Sequence, residues 1–415
     1  MRLGFRSAVR RARGSLDRPA EPPDARSQML FYESNPGLRN NLIQTRVLKV
    51  RPPDQESIVT SSEVGTAERV RTAYRLAAAE ARGRPELAPS GQWDRLIATS
   101  YGELIRALEG DDLQVLARTL EGMFAGAATA GLSMGGEVGY LSDLSGRQFY
   151  LDWWIDGMYS LASYLGVLGE VQDTGQVPID SVAAFDALYS RMADRLGTGV
   201  DFPRVCGAWG IESRGALTPR TSWRHIHAAL AMLDETRLLT TARIVEVGGG
   251  FGGVAYWTQR LRPEAVVYTI YDFPIVNAIA GYFLLRALPA ALVVLNGEPP
   301  KVGAPQIALL PHWRVFQEPD RSADIAFNQD SLPEMPREAA IQYLEAFDRI
   351  TRVGFYSENQ EDGHRWDPDD PATAQLRLPD LETHLRRLHR SSRYRAWMRR
   401  GYVETLYRPG PEVPD

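Results

Sequence analysis

Cysteine is nearly missing from this chain: Cys206 is the only one in 415 residues. An intrachain disulfide is therefore excluded, and a thiolate metal centre has too few ligands. No metal site is expected, and a reducing, cytoplasmic setting fits. Lysine is almost as scarce, with Lys49 and Lys301 the only two among 47 basic residues, a bias that carries no mechanistic weight. A strong excess of either charge is lacking too. The net charge of −5 gives no electrostatic reason to expect nucleic acid as a partner. No apolar run approaches the ~20 residues of a membrane span, so no membrane partner is expected. The arginine-rich residues 1–27 lack the apolar stretch of a secretory signal, and Pro19, Pro22 and Pro23 interrupt any helix. They read as a flexible, solvated tail.

What is present is ordinary for a globular chain, 44% hydrophobic and 24% charged, and long enough for two domains. From residue 28 to 53 the pattern is mixed, with Phe31, Tyr32, Leu42 and Ile43 as apolar anchors and a short strand at 47–50. Helical periodicity then dominates, predicting helices over 63–82, 92–108 and 113–124, a glycine-rich loop over 126–146, and inward stripes through Phe149, Trp153, Met158 and Leu161. A further stripe runs through Ile179, Val182, Phe185, Tyr189 and Met192, with Asp180 as N-cap. Residues 28–215 therefore read as a mainly helical, all-α N-terminal domain, and 216–415 as an α/β domain.

The α/β part is organised around residues 243–272. An apolar run with one embedded acid, Glu246, feeds Gly248, Gly249, Gly250, Phe251, Gly252 and Gly253. A helix over 254–261 and a strand over 265–271 follow, ending at Asp272. This is the size of a nucleotide-binding βαβ unit. Residues without Cβ let the backbone turn tightly and a ligand approach it, and the next helix aims its amides into the same space. Asp272 stands where a ribose diol is held. Two cofactors satisfy the spacing: Gly248, Gly250 and Gly253 fit G-x-G-x-x-G for a dinucleotide, and Glu246 with Gly248, Gly250 and Gly252 fits E-x-G-x-G-x-G for S-adenosylmethionine. A carboxylate under the loop suits an ammonium and repels a pyrophosphate, which favours the methyl donor.

The blocks 245–253, 268–274, 328–335 and 357–361 together resemble the successive strand ends of class I methyltransferases, and most closely the bacterial sugar O-methyltransferase family. The resemblance covers roughly the last 200 residues. It implies a C-terminal Rossmann-like seven-stranded domain that binds S-adenosylmethionine and methylates a hydroxyl of a sugar or glycosylated small molecule. It also implies that the helical part shapes the acceptor pocket or a dimer contact, so a homodimer is one assembly the chain allows. Acceptors without sugar (a phenol, amine or carboxylate of a natural product or peptide) stay open. So do an NAD-dependent enzyme and a silent binding subunit.

Individual roles follow from position. On a helix over 218–234, Trp223, Ile226, Leu230 and Leu233 form the apolar stripe. Arg224 borders it and could clamp the donor carboxylate. His227 flanks it, as an interior histidine or an acceptor-facing base, while His225 falls opposite, toward solvent or the helical domain. A helix over 275–288 follows. Either 291–295 or 307–313 is the third strand; the resemblance implies that His312 and Trp313 lie near the adenine together with Phe273, with Trp313 either stacked on the ring or packed structurally. The fourth strand, 323–327, ends on Asn328, Gln329, Asp330 and Ser331, facing the cofactor methyl and the acceptor. Asn328 and Gln329 would serve the donor, and Asp330 is the leading base. Glu361 after the fifth strand, 354–357, is another candidate base, with His364 beside it. A helix over 381–388 and a terminal hairpin, 393–398 with 401–407, close the sheet. Trp153, Trp154, Tyr159 and Tyr164 are either a sugar-stacking surface or core.

Overall fold

The computed structural model describes residues 49–53, 59–89, 92–126, 129–132, 134–142, 144–168, 182–213, 215–301, 303–360, 382–398 and 401–410. The expectations for residues 1–27, Phe31, Tyr32, Leu42, Ile43, Asp180, Glu361 and His364 lie outside these.

Among the described residues, six helices precede the strand Gly210–Ser213: α1 (Ser61–Ala81), α2 (Gln92–Ser100), α3 (Gly102–Glu109), α4 (Leu113–Glu121), α5 (Leu144–Tyr164) and α6 (Val182–Leu196). Thr60 and Glu63 form a reciprocal capping box that starts α1. The single helix expected over 92–108 is broken at Tyr101. Its ring is fully buried and its hydroxyl donates to the Ala130 carbonyl at 2.7 Å, which pulls the backbone out of helical geometry. The loop expected over 126–146 contains a 3-10 stretch, Met134–Ser142, because Val138 and Leu141 pack against the core. Nor is this region purely helical. Strands β1 (Lys49–Arg51), β2 (Gly210–Ser213) and β3 (Ala216–Thr218) pair into a small antiparallel sheet at its end.

Next come α7 (Arg220–Glu235), β4 (Ala242–Val247), α8 (Gly253–Leu261), β5 (Val266–Asp272), α9 (Pro274–Ala287), β6 (Val293–Val294), β7 (Gln306–Pro311), β8 (Ala323–Gln329), α10 (Arg337–Ile350), β9 (Thr351–Gln360), β10 (Leu388–Arg395) and β11 (Tyr402–Pro409). The strand order is β10-β11-β9-β8-β4-β5-β7-β6. Strands β6, β7, β5, β4, β8 and β9 are parallel, β11 runs antiparallel to β9, and β10, antiparallel to β11, returns to the common direction. The parallel strands β4, β5, β7 and β8 are nearly continuous apolar runs because helices cover both faces. This is a Rossmann-like, doubly wound sheet.

The third core strand is β7, bonded to β5 along its whole length, and the other apolar run contributes β6, an eighth strand at the edge. The helix expected over 381–388 is absent. Only Glu382–His384 form a 3-10 turn, and Leu388 opens β10, since pairing with β11 satisfies its backbone. Strand β9 also runs further than expected. Glu358 and Asn359 are fully buried within it, held by β8 on one side and β11 on the other.

One hydrophobic cluster joins the two halves, taking Phe124, Trp154 and Phe202 from the first and Phe251, Ile270 and Phe283 from the second. Trp154 and Tyr159 are core residues of it, so of the four aromatics only Trp153 and Tyr164 reach the surface. Arg286 on α9 adds a polar tie, with Glu63 on α1 at 2.5 Å and Glu121 on α4 at 2.8 Å.

Candidate nucleotide and acceptor site

Strand β4 pairs with β5 on one side and β8 on the other, so the sheet grows in opposite directions from this point. A crevice opens beyond the carboxyl ends of such strands. The glycine elbow fills it. Gly248, Gly250 and Gly252 have φ of 79°, 55° and 84°, a region L side chains rarely adopt. A Cβ on Gly248 would also overlap Ser331 Oγ, and one on Gly249 would lie 2.6 Å from Ile270 Cγ2 and 3.0 Å from Glu246 Oε2. The Glu246 carboxylate thus lies directly beneath the elbow, accepting a hydrogen bond from the Tyr268 hydroxyl at 2.9 Å. Burial pushes its pKa up to about 8, with Asp272 adding to the effect.

Asp272 sits where the sequence put it, at the end of β5. Its two oxygens accept the amides of Gly250 at 3.1 Å and Phe273 at 2.7 Å, which ties the acid to the elbow. Burial raises its pKa to about 7 against the pull of those two amides. Phe273 is half-buried beside it, its ring 5.0 Å from His312 and 6.0 Å from Trp93 on α2.

The doubly wound order, with an antiparallel hairpin at one edge, is the arrangement expected of class I methyltransferases, here with one added edge strand. No family model matches the chain, and no curated protein matches it in sequence. Solved structures similar to it include magnesium protoporphyrin IX methyltransferase from Synechocystis with bound S-adenosylhomocysteine, at 12% identity and TM-score 0.34 over 45% of this chain and 82% of that one. Another is the 1,6-didemethyltoxoflavin N1-methyltransferase of Burkholderia thailandensis, at 17% identity and TM-score 0.31 over 45% of this chain and 79% of that one. A third is a Haloferax volcanii complex containing the Trm112 methyltransferase activator, at 15% identity and TM-score 0.33 over 47% of this chain and 93% of that one.

Helix α7 lies along the crevice and sorts its polar residues differently from the helical wheel. Arg224 is buried, with Nη1 3.4 Å from Asp330 Oδ2, so the expected carboxylate clamp and the expected base meet each other. His225 is not turned to solvent. It is 5% exposed, its ring lies 5.3 Å from Phe251, and Nδ1 occupies the space a Cβ on Gly253 would need. The wheel failed because the elbow packs on the side it treated as outward. One turn beyond Arg224, His227 is 1% exposed, 3.8 Å from Glu404 Oε1 and in edge contact with the Tyr164 ring. Burial lowers its pKa to about 4.

Asp330 has φ of 71°, unusual for a residue with a side chain. Its amide donates to the Glu358 carbonyl at 3.1 Å. Asn328 is spent internally: Nδ2 donates to the Val247 carbonyl at 2.8 Å and to Ser331 Oγ, and Oδ1 accepts from Leu332 and Asn359. It locks β8 to β4 instead of facing a ligand. Gln329 likewise points sideways, donating to Glu358 Oε2 at 2.7 Å. His312 and Trp313 are also committed to packing. The His312 ring bonds Tyr343 at 2.7 Å and the Leu87 carbonyl at 3.1 Å, and Trp313 donates to Glu80 at 2.9 Å under α1. A strand-end position cannot show that α1 covers it from elsewhere in the chain.

Three residues near the elbow gave no sequence signal. Leu132 lies 3.8 Å from where a Cβ on Gly250 would be, burial and then the neighbouring Asp272 raise the Tyr101 hydroxyl's pKa, and Trp93 donates to Glu334 at 3.2 Å. They are a roof contributed by the helical part. Glu404 did carry a signal, as the one acid in the run 402–407, but it was not read.

Proposed function

We propose that the chain is an S-adenosylmethionine-dependent O-methyltransferase acting on a hydroxyl of a sugar or glycosylated small molecule. The observation that carries this reading is the Glu246 carboxylate under Gly249, in an elbow whose far wall is Asp272. A cationic donor would draw off the proton that burial keeps on Glu246 and pair with the anion left behind, which a pyrophosphate cannot do. Asp272 accepts the ribose hydroxyls, the α8 amides take the methionyl carboxylate, and Phe273 lies against the base. The sulfonium supplies the electrophile. The protein holds oxygen, methyl carbon and sulfur in line, a positioning effect that supplies several kcal/mol. A sugar hydroxyl is a weak acid and needs a base. Asp330, oriented by Arg224 and only half-buried, takes that role, while Glu361 remains a second candidate and His227 lies too deep to reach solvent-borne acceptors unaided.

Calorimetry with S-adenosylmethionine and with NAD tests the class: binding of the dinucleotide and not of the methyl donor rejects it. Mass spectrometry of donor-dependent methylation across paired glycosides and aglycones tests the acceptor. Modification of aglycones alone removes the sugar from the reading.

A further inference from the structure

Beside the crevice, Gln329, Glu358 and Glu404 stand opposite one another on β8, β9 and β11. Residues in register on neighbouring strands share a face. Helix α7 covers that face and places His227 over the two glutamates. One ring nitrogen and one oxygen from each carboxylate all lie within 4.8 Å of one another. His227 Nδ1 is buried and has no hydrogen-bond partner among the described residues. Glu404 has no arginine or lysine partner among them either; its Oε1 accepts the Trp397 amide at 2.7 Å. Gln329 pins one oxygen of Glu358, which fixes that carboxylate's direction.

We propose that His227, Glu358 and Glu404 form a site for a divalent first-row cation of the Mn2+ or Zn2+ kind. An ion bound at about 2.0–2.2 Å holds neighbouring donors about 3–4 Å apart, so these three need only a small inward movement. The mixed donor set matters. Imidazole with carboxylates suits Mn2+ and Zn2+, whereas Mg2+ and Ca2+ prefer oxygen alone. A proton shared by the glutamates would leave the buried imidazole nitrogen without a role, and a cation gives it one. The ligands come from a helix and two strands far apart in the chain, which is why the sequence pointed to no metal. With His227 1% exposed and Glu358 fully buried, an ion there would brace α7 against the sheet one strand away from Asp330, without itself reaching the acceptor of the methyltransferase reading.

The test uses the full chain, stripped with a chelator and titrated with Mn2+ and separately with Zn2+ in the absence of any donor. One ion per chain is expected, with affinity falling about tenfold or more in Glu404→Gln and in Glu358→Gln. Circular dichroism checks that each variant is folded. Pulsed electron paramagnetic resonance of the Mn2+-loaded wild type should show coupling to an imidazole nitrogen, a readout that no variant's folding affects. Substoichiometric binding in the wild type, unchanged affinity in the folded variants, or a Mn2+ spectrum without nitrogen coupling overturns the site. S-adenosylmethionine binding is measured apart: if the ion binds and the donor does not, the methyltransferase reading fails and the metal site stands.

Discussion

Glu246→Gln isolates the carboxylate on which the cofactor reading rests. Gln keeps the shape and can still accept the Tyr268 hydroxyl at the 2.9 Å distance, but it cannot ionise. In the ligand-free wild type the folded state holds the Glu246 proton up to about pH 8, whereas the ordinary value is 4.5. Between those values the native protein binds more protons than the unfolded chain, so stability falls as pH rises and levels off above the upper one. Each pH unit inside the window costs about 1.4 kcal/mol for one such group. With the effective dielectric of a relaxing interior, the total comes to about 2–4 kcal/mol. The assay is urea unfolding of both proteins at about pH 4 and about pH 8.5, comparing the difference between them, so that titrating groups away from Glu246 cancel. Near-equal stability at the lower pH and a variant more stable by about 2–4 kcal/mol at the higher one are expected. A difference that does not change with pH would refute the burial of an ionisable acid under the elbow.

Asp272→Ala should weaken S-adenosylmethionine binding by roughly 1–3 kcal/mol through lost hydrogen bonds, measured by calorimetry; unchanged affinity would show that the ribose lies elsewhere. Gly248→Ala forces a side chain into the positive-φ region and onto Ser331, so a loss of about 1–3 kcal/mol in stability is expected by thermal unfolding, and a neutral result would contradict the elbow geometry. Asp330→Asn should cut turnover by more than it weakens donor binding, as steady-state kinetics beside calorimetry would reveal. Arg286→Leu leaves Glu121 buried without its cation, and a cost of about 3–5 kcal/mol follows; a loss below about 1 kcal/mol would mean the tie is solvated.

The sheet was legible because parallel strands covered on both faces are written as apolar runs, and the elbow because glycines and one misplaced acid stand out against such runs. The site around it was legible only in part. Arg224, Asp272 and Asp330 fall at the crevice because helix and strand ends fix them locally. His225, His312 and Asn328 differ from expectation, and packing is the outcome of the two open for Trp313, because their surroundings come from other parts of the chain: the elbow, Leu87 and Tyr343, the end of β4 with Asn359 of β9, and α1. The buried reach of β9 was hidden for a related reason. A polar run such as Glu358 and Asn359 reads as a loop until its partners on β8 and β11 are known.

Phe251, the one side chain carried at the crest of the elbow, is gripped by rings on three sides. Phe124 lies 5.2 Å away, Phe283 5.4 Å and Phe202 6.4 Å, with Phe202 itself stacked on Phe283. Two of those rings belong to the part of the chain that precedes the nucleotide fold. The elbow is therefore moulded by distant sequence, and a recombinant fragment starting at β4 would lose two of those three rings. Grafting a foreign helical module onto this sheet to change its acceptor would, for the same reason, alter the grip on the donor as well.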